Sequence, residues 1–347
     1  MFGSVRLLLA ICVALSHLGM TIFGYNPGPI AVISFYLISG YVTAGLLDKQ
    51  LVCAVDYYTE RALRLLPSYW VAVALTAIIW TMVPQQNDIY FLQRVPSWTD
   101  WLSNFIIIPL NFYMWSGQDH FTLIPPAWSL AAEFQFYALA PWILRTRRWG
   151  GLAIITASLG LWIVAQIGLI QTDWWGYRLL PGVLFVFLLG TRIYQGDKVV
   201  PTAAWLVAMI VFIAVMTPLV KVQPFNVEVS VGVLIGIPML AWLSQLRRRR
   251  WDDCIGRLAY PMFLLHFPTM WVFEKFGYAP AYLMQRPQML AAWIGCTLIA
   301  SQVLFLLTEA PLMRLRHSLR QTFGTERTFV PWRRKIGSMR PSPQASD

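Results

Sequence analysis

The chain has 347 residues, of which 57% are apolar and 12% are charged, and its formal net charge is +11. A soluble domain carries about 25% charged residues, so this composition excludes an ordinary soluble enzyme and indicates an integral membrane protein. The positive charge needs no nucleic-acid partner, because basic loops and tails of membrane proteins are attracted to anionic lipid headgroups.

Ten apolar runs are each long enough to cross about 30 Å of hydrocarbon. They recur along the whole chain, so we predict an all-α fold, a polytopic bundle of about ten transmembrane helices. The first run is expected to be a retained span, because no small-residue cleavage site follows it. The runs are 5–24, 28–47, 66–84, 126–144, 150–170, 177–194, 202–220, 228–245, 257–274 and 289–309.

The basic residues predict the orientation of the bundle. If the N-terminus is cytoplasmic and the spans alternate, only five of the 27 Lys and Arg residues fall on the opposite face, as the positive-inside rule expects. Both termini are then cytoplasmic. Residues 1–311 are predicted to form the transmembrane domain and 312–347 a basic, largely disordered cytoplasmic tail. The five exceptions are Arg94, Arg178, Lys221, Lys275 and Arg286.

The first run carries Arg6 and, eleven residues later, His17. Eleven residues at about 100° each return His17 to within ~20° of Arg6, on the same helix face and ~16 Å along the axis. An ionisable group inside a membrane is costly and marks a functional candidate, and imidazole can move protons near neutral pH. The alternatives are a packing histidine bonded to a neighbouring carbonyl and an arginine that only sets topology.

The second run contains Ser39-Gly40-Tyr41, whose small residues permit close helix approach. In the connection that follows, Arg61 and Arg64 are three residues apart, so they are neighbours on a helix. We expect Pro67 to open the next span at its first turn. Two adjacent guanidiniums can clamp phosphates with paired planar donors, although topology signalling would explain them equally well.

The stretch 101–115 is apolar but short and contains Asn104, Pro109 and Asn111, so we expect an interfacial or re-entrant segment. Aromatic residues are frequent in the surrounding connection, 85–125. They are typical of an interfacial belt, and a stacking platform for sugar rings is the alternative. These aromatic residues are Trp98, Trp101, Phe112, Tyr113 and Trp115.

The fourth span opens with Trp128-Ser129 and places Glu133 one to two turns inside the membrane, where a carboxylate is costly unless it is paired or protonated. Ser129 could be a helix cap and Glu133 a structural partner of an arginine. His266 lies near the middle of the ninth span, as His17 does in the first, so the two histidines could face one cavity.

Several kinds of site are not predicted. The four cysteines have no ligand-like spacing, and the sequence has no paired Asp-rich metal motif, so we predict neither a disulfide framework nor a metal site. The sequence also contains no glycine-rich phosphate loop and no Gly-x-Ser-x-Gly elbow. These absences disfavour a soluble-type serine hydrolase and a metal-dependent glycosyltransferase. The cysteines are Cys12, Cys53, Cys254 and Cys296.

The motifs within the apolar runs, taken in chain order, resemble those of the membrane acyltransferase-3 family of bacterial O-acyltransferases. The resemblance covers most of residues 4–312. Each motif is weak alone, but six occur in the family's order on a ten-span scaffold. They are Arg6 with His17, 35–41 ending in Ser39-Gly40-Tyr41, 61–67 with Arg61 and Arg64, 128–137 with Trp128, Ser129 and Glu133, 260–266 ending in His266, and Glu309-Ala-Pro311. The fourth-span motif has Phe134 where the family commonly has a second glutamate, which leaves Glu133 as its only carboxylate.

The resemblance implies transfer of an acyl group, most often acetyl from acetyl-coenzyme A, to a sugar hydroxyl. It implies a multi-pass protein of the bacterial inner membrane whose acceptor is a surface polysaccharide or its lipid-linked precursor. Acetyl-coenzyme A is then a substrate, and no permanently bound cofactor is expected. By resemblance the catalytic residues are His17 as base with His266 and Glu133, the donor-binding residues are Arg6, Arg61 and Arg64, and the substrate-binding residues are Ser39, Tyr41, Trp128 and Ser129.

Two alternatives stay open at this point. A succinyl or macrolide O-acyltransferase would have the same fold and differ only in donor or acceptor. A polysaccharide transporter, flippase or polymerase would use His17 as a proton relay. Broken helices in matching halves of the chain would favour transport, and the sequence has no such pairing.

Overall fold

The structure is a computed structural model that describes residues 2–49, 54–82, 90–218, 220–221, 223–247 and 249–313. These ranges contain α-helices, short 3₁₀ turns and one π-helical segment, and an isolated bridge between Ile22 and Tyr25 is their only β-type pairing. The α-helices are α1 (Gly3–His17), α2 (Pro27–Lys49), α3 (Ala54–Met82), α4 (Trp98–Ile106), α5 (Tyr113–Ser116), α6 (Ala127–Ile143), α7 (Arg148–Gln166), α8 (Leu180–Tyr194), α9 (Val199–Val215), α10 (Asn226–Leu243), α11 (Arg250–Gly256), α12 (Ala259–Lys275), α13 (Pro280–Gln285) and α14 (Pro287–Leu307).

The predicted all-α class is confirmed, and each of the ten apolar runs overlaps a helix, although the first run, 5–24, extends past α1, which ends at His17. Six helices of the described ranges are long and apolar enough to cross a membrane, which indicates a multi-pass membrane protein. The count of ten spans and the cytoplasmic termini stay predictions. The six helices are Pro27–Asp48, Ala54–Met82, Arg148–Gln166, Thr172–Tyr194, Asn226–Leu243 and Pro287–Leu307.

The segment 101–115 does not form a continuous spanning helix, in agreement with its short apolar length. It is divided between α4, a 3₁₀ turn (Ile108–Phe112) and α5. A helix of nine residues rises about 13.5 Å, well short of about 30 Å of hydrocarbon. The side chain of Asn104 replaces missing backbone partners here, because its amide nitrogen donates to the Asp100 and Phe121 carbonyls and its oxygen accepts from Leu123 N–H.

The expectation that Pro67 opens a span is wrong. Pro67 lies inside α3, which begins at Ala54 and continues past it to Met82. Proline in a helix interior removes one backbone hydrogen bond, but packing against neighbouring helices can hold the helix together. The Tyr260 hydroxyl of α12 donates to the Leu65 carbonyl beside this position, at 2.9 Å. Arg61 and Arg64 therefore lie within a long helix and not in a connection.

Helix α2 lies at the centre of the bundle, between α1, α8 and α10. Its approach to α8 depends on glycine: a Cβ atom on Gly40 would lie 1.8 Å from the Phe187 carbonyl oxygen, and one on Gly190 would lie 2.1 Å from the Leu37 carbonyl oxygen. The close helix approach predicted for 39–41 is thus confirmed, and small residues allow it on both helices.

Helix α1 is held at its first turn by a residue distant in sequence. The Asp252 carboxylate of α11 accepts hydrogen bonds from the Gly3 and Ser4 amides at 2.9 and 2.8 Å, and from the Ser4 hydroxyl at 2.6 Å. A helix N-terminus exposes unpaired amides, so a carboxylate from another helix can act as its cap.

The predicted disordered tail lies outside the described residues from Arg314 onward, and Cys53 lies outside them too.

Candidate active site

Two cavities lie inside the bundle, and helix α1 lines both. The first, which we call the arginine cavity, has a volume of about 70 Å³ and is lined by Arg6, Arg61, Arg64 and Glu133 together with apolar and tyrosine side chains. The three arginines come from α1 and α3, and the glutamate comes from α6. The structure therefore brings together the residues that the resemblance assigns to donor binding.

Arg61 is the most deeply buried of these cations, with 4% of its surface exposed. Its guanidinium carbon lies 4.7 Å from the centre of the Tyr137 ring and 5.8 Å from that of Tyr57. Nε and Nη2 of Arg61, and Nε of Arg6, are buried and have no hydrogen-bond partner among the described residues. Buried donors without acceptors are costly, so this cavity suits a ligand that carries anionic oxygens.

Glu133 takes part in a hydrogen-bonded chain in the same cavity. The Tyr137 hydroxyl donates to Glu133 Oε1 and accepts from the Ser39 hydroxyl, which is 3.0 Å away. Among the described residues Glu133 forms no ion pair with an arginine, which was the structural alternative for it. Its hydrogen-bond partner is the Tyr137 hydroxyl instead. Ser39 also lines the arginine cavity, and the expectation that it binds substrate stays a prediction.

The second cavity, which we call the histidine cavity, has a volume of about 250 Å³. His17 lines it, with Asp119, Trp128 and Arg178. Tyr113 lines it as well. Burial, aided by the nearby Asp173 carboxylate, raises the pKa of the Tyr113 hydroxyl despite the opposing effect of Arg178. The hydroxyl stays protonated at neutral pH and donates to Asp173 Oδ2 at 3.3 Å.

Three residues line both cavities: Val32, Ser129 and Phe263, which we call the junction. Ser129 is the polar member, 6% exposed, and its hydroxyl donates to the Pro126 carbonyl at 2.9 Å. The N-cap of α6 is Pro126, so the reading of Ser129 as the helix cap is wrong. The junction is therefore shared by a cavity rich in cations and one that contains a histidine.

The two membrane histidines lie together, but they are not equivalent. Their rings stack with centroids 5.4 Å apart and planes inclined by 19°. His17 is exposed to the cavity, whereas His266 is 1% exposed and lines neither cavity. The expectation that both face one cavity is therefore wrong for His266, whose Nδ1 lies 3.3 Å from the Met262 carbonyl. The carbonyl contact proposed as the alternative for His17 is thus made by His266.

Comparison with known proteins decides the family. The sequence pattern of a family described as an acyltransferase domain matches residues 3–308, nearly the whole chain. The chain belongs to the acyltransferase-3 family. It is an acyltransferase enzyme.

Three curated relatives match this acyltransferase at 22–24% identity. "Exopolysaccharide production protein ExoZ" of Rhizobium meliloti is 24% identical, covering 86% of this chain and 94% of the relative. "Nodulation protein 10" of Rhizobium leguminosarum bv. viciae is 22% identical, covering 82% of each chain. A Staphylococcus aureus protein named "Putative O-acetyltransferase" is 23% identical, covering 87% of this chain and 56% of that protein. No solved structure matches the acyltransferase.

Sequence reasoning missed one cation of this acyltransferase. Arg178 was counted only as one of the basic residues away from the cytoplasm, yet it lines the histidine cavity beside His17. It lies at the end of the π-helical segment Thr172–Arg178, a geometry frequent at functional sites. The available signal was Asp173, five residues before Arg178 in an aromatic run.

The remaining residues that were predicted to bind substrate do not lie together either. Trp128 lines the histidine cavity, where the expectation of substrate binding stays a prediction. Tyr41 lines neither cavity and instead packs edge-on against Phe2 and Tyr194, with ring centroids 5.2 and 5.3 Å away. Within the described ranges of the acyltransferase, no group of three or more His, Cys, Asp or Glu side chains could hold a metal ion.

Proposed function

We propose that this acyltransferase moves an acetyl group from acetyl-coenzyme A to a hydroxyl of a surface polysaccharide or of its lipid-linked precursor. The observation that carries the proposal is the junction, where a cavity with three arginines meets a cavity with an exposed histidine. A reaction between a phosphate-bearing donor and a neutral alcohol needs these two environments side by side.

The arginine cavity supports a coenzyme A donor. Its phosphates carry the anionic oxygens that the buried nitrogens of Arg6 and Arg61 lack as partners, and Arg64 lines the same cavity. Guanidinium is well matched to phosphate because it offers planar paired donors. The phosphates would lie against the arginines, and the adenosine would remain outside this cavity, which at about 70 Å³ is too small to enclose it. The thin pantetheine arm would carry the thioester inward to the junction.

The histidine cavity supports the alcohol acceptor. His17 accepts the proton of the attacking hydroxyl group while the oxygen of that hydroxyl forms a bond to the thioester carbonyl carbon. The carbon–sulfur bond then breaks, and coenzyme A leaves as a thiolate that takes the proton from His17. The Ser129 hydroxyl, the polar group of the junction, would rotate away from the Pro126 carbonyl to donate its hydrogen bond to the tetrahedral oxyanion.

The names of two relatives and the predicted topology support a polysaccharide acceptor that enters from outside the cytoplasm. One relative is named for exopolysaccharide production and another as an O-acetyltransferase. Since the positive-inside rule places Arg6 at the cytoplasmic face of the inner membrane, the donor would enter from the cytoplasm and the acceptor from outside. The two substrates would then meet within the bundle.

Analysis of surface glycans tests this function. Cells that lack the gene receive the wild-type gene, His17→Ala or the control His120→Ala, whose residue lies in a 3₁₀ turn and lines neither cavity. We expect mass spectrometry to show ester-linked acetyl groups with the wild type and the control, and their loss with His17→Ala at unchanged glycan quantity. If glycan length or export falls while acetylation per sugar holds, the proposed function is wrong.

A further inference from the structure

Arg178 is held in a fixed orientation at the edge of the histidine cavity. Its Nε donates to Asp173 Oδ1 at 2.8 Å, and its guanidinium carbon lies 4.3 Å from the centre of the Trp128 ring. The rings of Tyr113 and Tyr177 are each 5.3 Å away. Cation–π contacts and a carboxylate partner together restrict the guanidinium to one pose.

The backbone beneath Arg178 is also fixed. The Asn111 amide nitrogen donates to the Arg178 carbonyl and to the Trp128 carbonyl, each at 3.1 Å. The Gln135 amide donates in turn to Asn111 Oδ1 at 3.0 Å. One buried asparagine thereby ties the π-helical segment to α6, so that the guanidinium and the indole keep their relative positions.

This arrangement leaves the outer edge of the guanidinium unused. The side chain of Arg178 is 16% exposed, and Nη1 and Nη2 have no hydrogen-bond acceptor in the described part of the chain. Neither nitrogen is among the buried polar atoms that lack partners, so both retain access to solvent in the cavity that Arg178 lines. A planar pair of donors in a fixed pose is suited to two neighbouring oxygen atoms.

The charges around Arg178 favour an uncharged ligand over an anion. Asp173 offsets the charge of the guanidinium through their ion pair, and Asp119 adds a further carboxylate to the cavity lining. The arginine cavity differs, because three guanidiniums line it and buried nitrogens of Arg6 and Arg61 have no partner among the described residues. The paired donors of Arg178 therefore suit polar oxygens of a neutral group, such as adjacent hydroxyls of a sugar ring.

We infer that Arg178 is the acceptor-positioning residue of this enzyme, binding two adjacent oxygens of the acceptor sugar so that the reacting hydroxyl reaches His17. The inference rests on the proposed function and deepens it by assigning the acceptor subsite. Donor and acceptor thus have separate arginines, one set on each side of the junction. Arg178 takes no part in proton transfer, and its effect is on the binding and orientation of the sugar.

The test separates acceptor binding from donor binding. Surface glycan is freed of ester groups with mild alkali and titrated, with radiolabelled acetyl-coenzyme A, into membranes that contain the full-length enzyme. We compare the wild type with Arg178→Gln, Arg178→Lys and the control Arg94→Gln. Arg94 is likewise paired with an aspartate, Asp100, but lines neither cavity.

We expect the acceptor KM to rise about tenfold or more in both Arg178 variants, since a hydrogen bond from a charged group is lost, while the donor KM stays unchanged. Arg178→Lys keeps a charge beside Asp173, so it guards against misfolding, yet it lacks the planar donor pair. Arg94→Gln should leave both constants unchanged.

An unchanged acceptor KM in the lysine variant, with the wild type active, would overturn the role of Arg178 and leave the proposed function standing. An equal rise in both constants would show a merely structural role. No transfer to the de-esterified glycan by the wild type would overturn the proposed function, and the inference would fall with it.

Discussion

The rings of His17 and His266 stack with centroids 5.4 Å apart, and Phe267 packs against both, 4.7 Å from His17 and 5.0 Å from His266. The buried histidine thus supports the exposed one from behind. No hydrogen bond to His17 is present within the described residues, so its orientation depends on this stacking. His266 Nε2 is buried and has no partner there, which leaves His266 with a contact to Met262 and a flat surface.

This relationship predicts that the shape of residue 266 matters more than its nitrogens. We expect His266→Phe to retain most of the acetyl transfer rate, because a flat ring still supports His17. We expect His266→Ala to lower kcat about 10- to 100-fold, because displacement of a catalytic base by about 1 Å lowers the reaction rate by roughly that factor. Transfer of radiolabelled acetyl groups in membranes measures both variants, with Phe273→Ala on the same helix as the control. Loss of all activity in His266→Phe would instead make His266 a proton carrier.

The donor site predicts a second result. We expect Arg64→Ala and Arg61→Lys each to raise the KM for acetyl-coenzyme A about 10-fold or more, because each removes charge-assisted hydrogen bonds to phosphate. The acceptor KM should not change. The control is Arg147→Ala with Arg148→Ala, an exposed pair at the start of α7. Donor affinity equal to that of the wild type, in enzyme with an unaltered thermal midpoint, would remove these arginines from the donor site.

The fold class and the membership of the arginine cavity could be predicted from the sequence. Apolar length determines helices in a membrane, since every backbone polar group must be paired within the segment. Arg6, Arg61 and Arg64 were expected to bind one substrate, the donor, and all three line one cavity. Glu133, expected to be catalytic with His17, lines this cavity and not the one that His17 lines. Each lies in a short motif whose spacing is readable on a single helix.

Contacts between distant elements could not be predicted. The sequence places His17 and His266 at similar depth, but only the packing of α1 against α12 decides which ring faces the cavity. Arg178 belongs to a π-helical segment, which apolar periodicity does not reveal. Pro67 was misplaced because local propensity favours proline at a helix start, whereas membrane packing tolerates it inside α3.

The junction predicts how the enzyme selects its acyl group. On the proposed route the acyl group passes Phe263, which lines both cavities and is 9% exposed. We expect Phe263→Ala to increase kcat/KM for propionyl-coenzyme A relative to acetyl-coenzyme A about 10-fold, since one methylene in an apolar pocket changes discrimination by roughly that factor. The control Val42→Ala shortens a side chain that lines only the arginine cavity. An unchanged ratio in Phe263→Ala would place the acyl group elsewhere.

The cap on α1 predicts a pH-dependent stability. Burial alone would raise the pKa of Asp252, but hydrogen bonds from the Ser4 hydroxyl and the Ser4 and Gly3 amides lower it below its usual range. A carboxyl whose pKa is lower in the folded protein stabilises it above the unfolded pKa of about 3.9, and this stabilisation is lost as the pH falls through the folded pKa.

We therefore expect Asp252→Asn to lower the free energy of unfolding by about 0.5–2 kcal/mol at pH 7, the usual contribution of a helix cap. The difference from the wild type should shrink as the pH falls below about 4. Because α1 carries Arg6, the donor KM should also rise. Asp197→Asn is the matched control, since Asp197 accepts from the Val199 and Val200 amides at the start of α9. It should lower the thermal midpoint in detergent without changing the donor KM. If both variants changed the donor KM equally, Asp252 would have no specific part in placing Arg6.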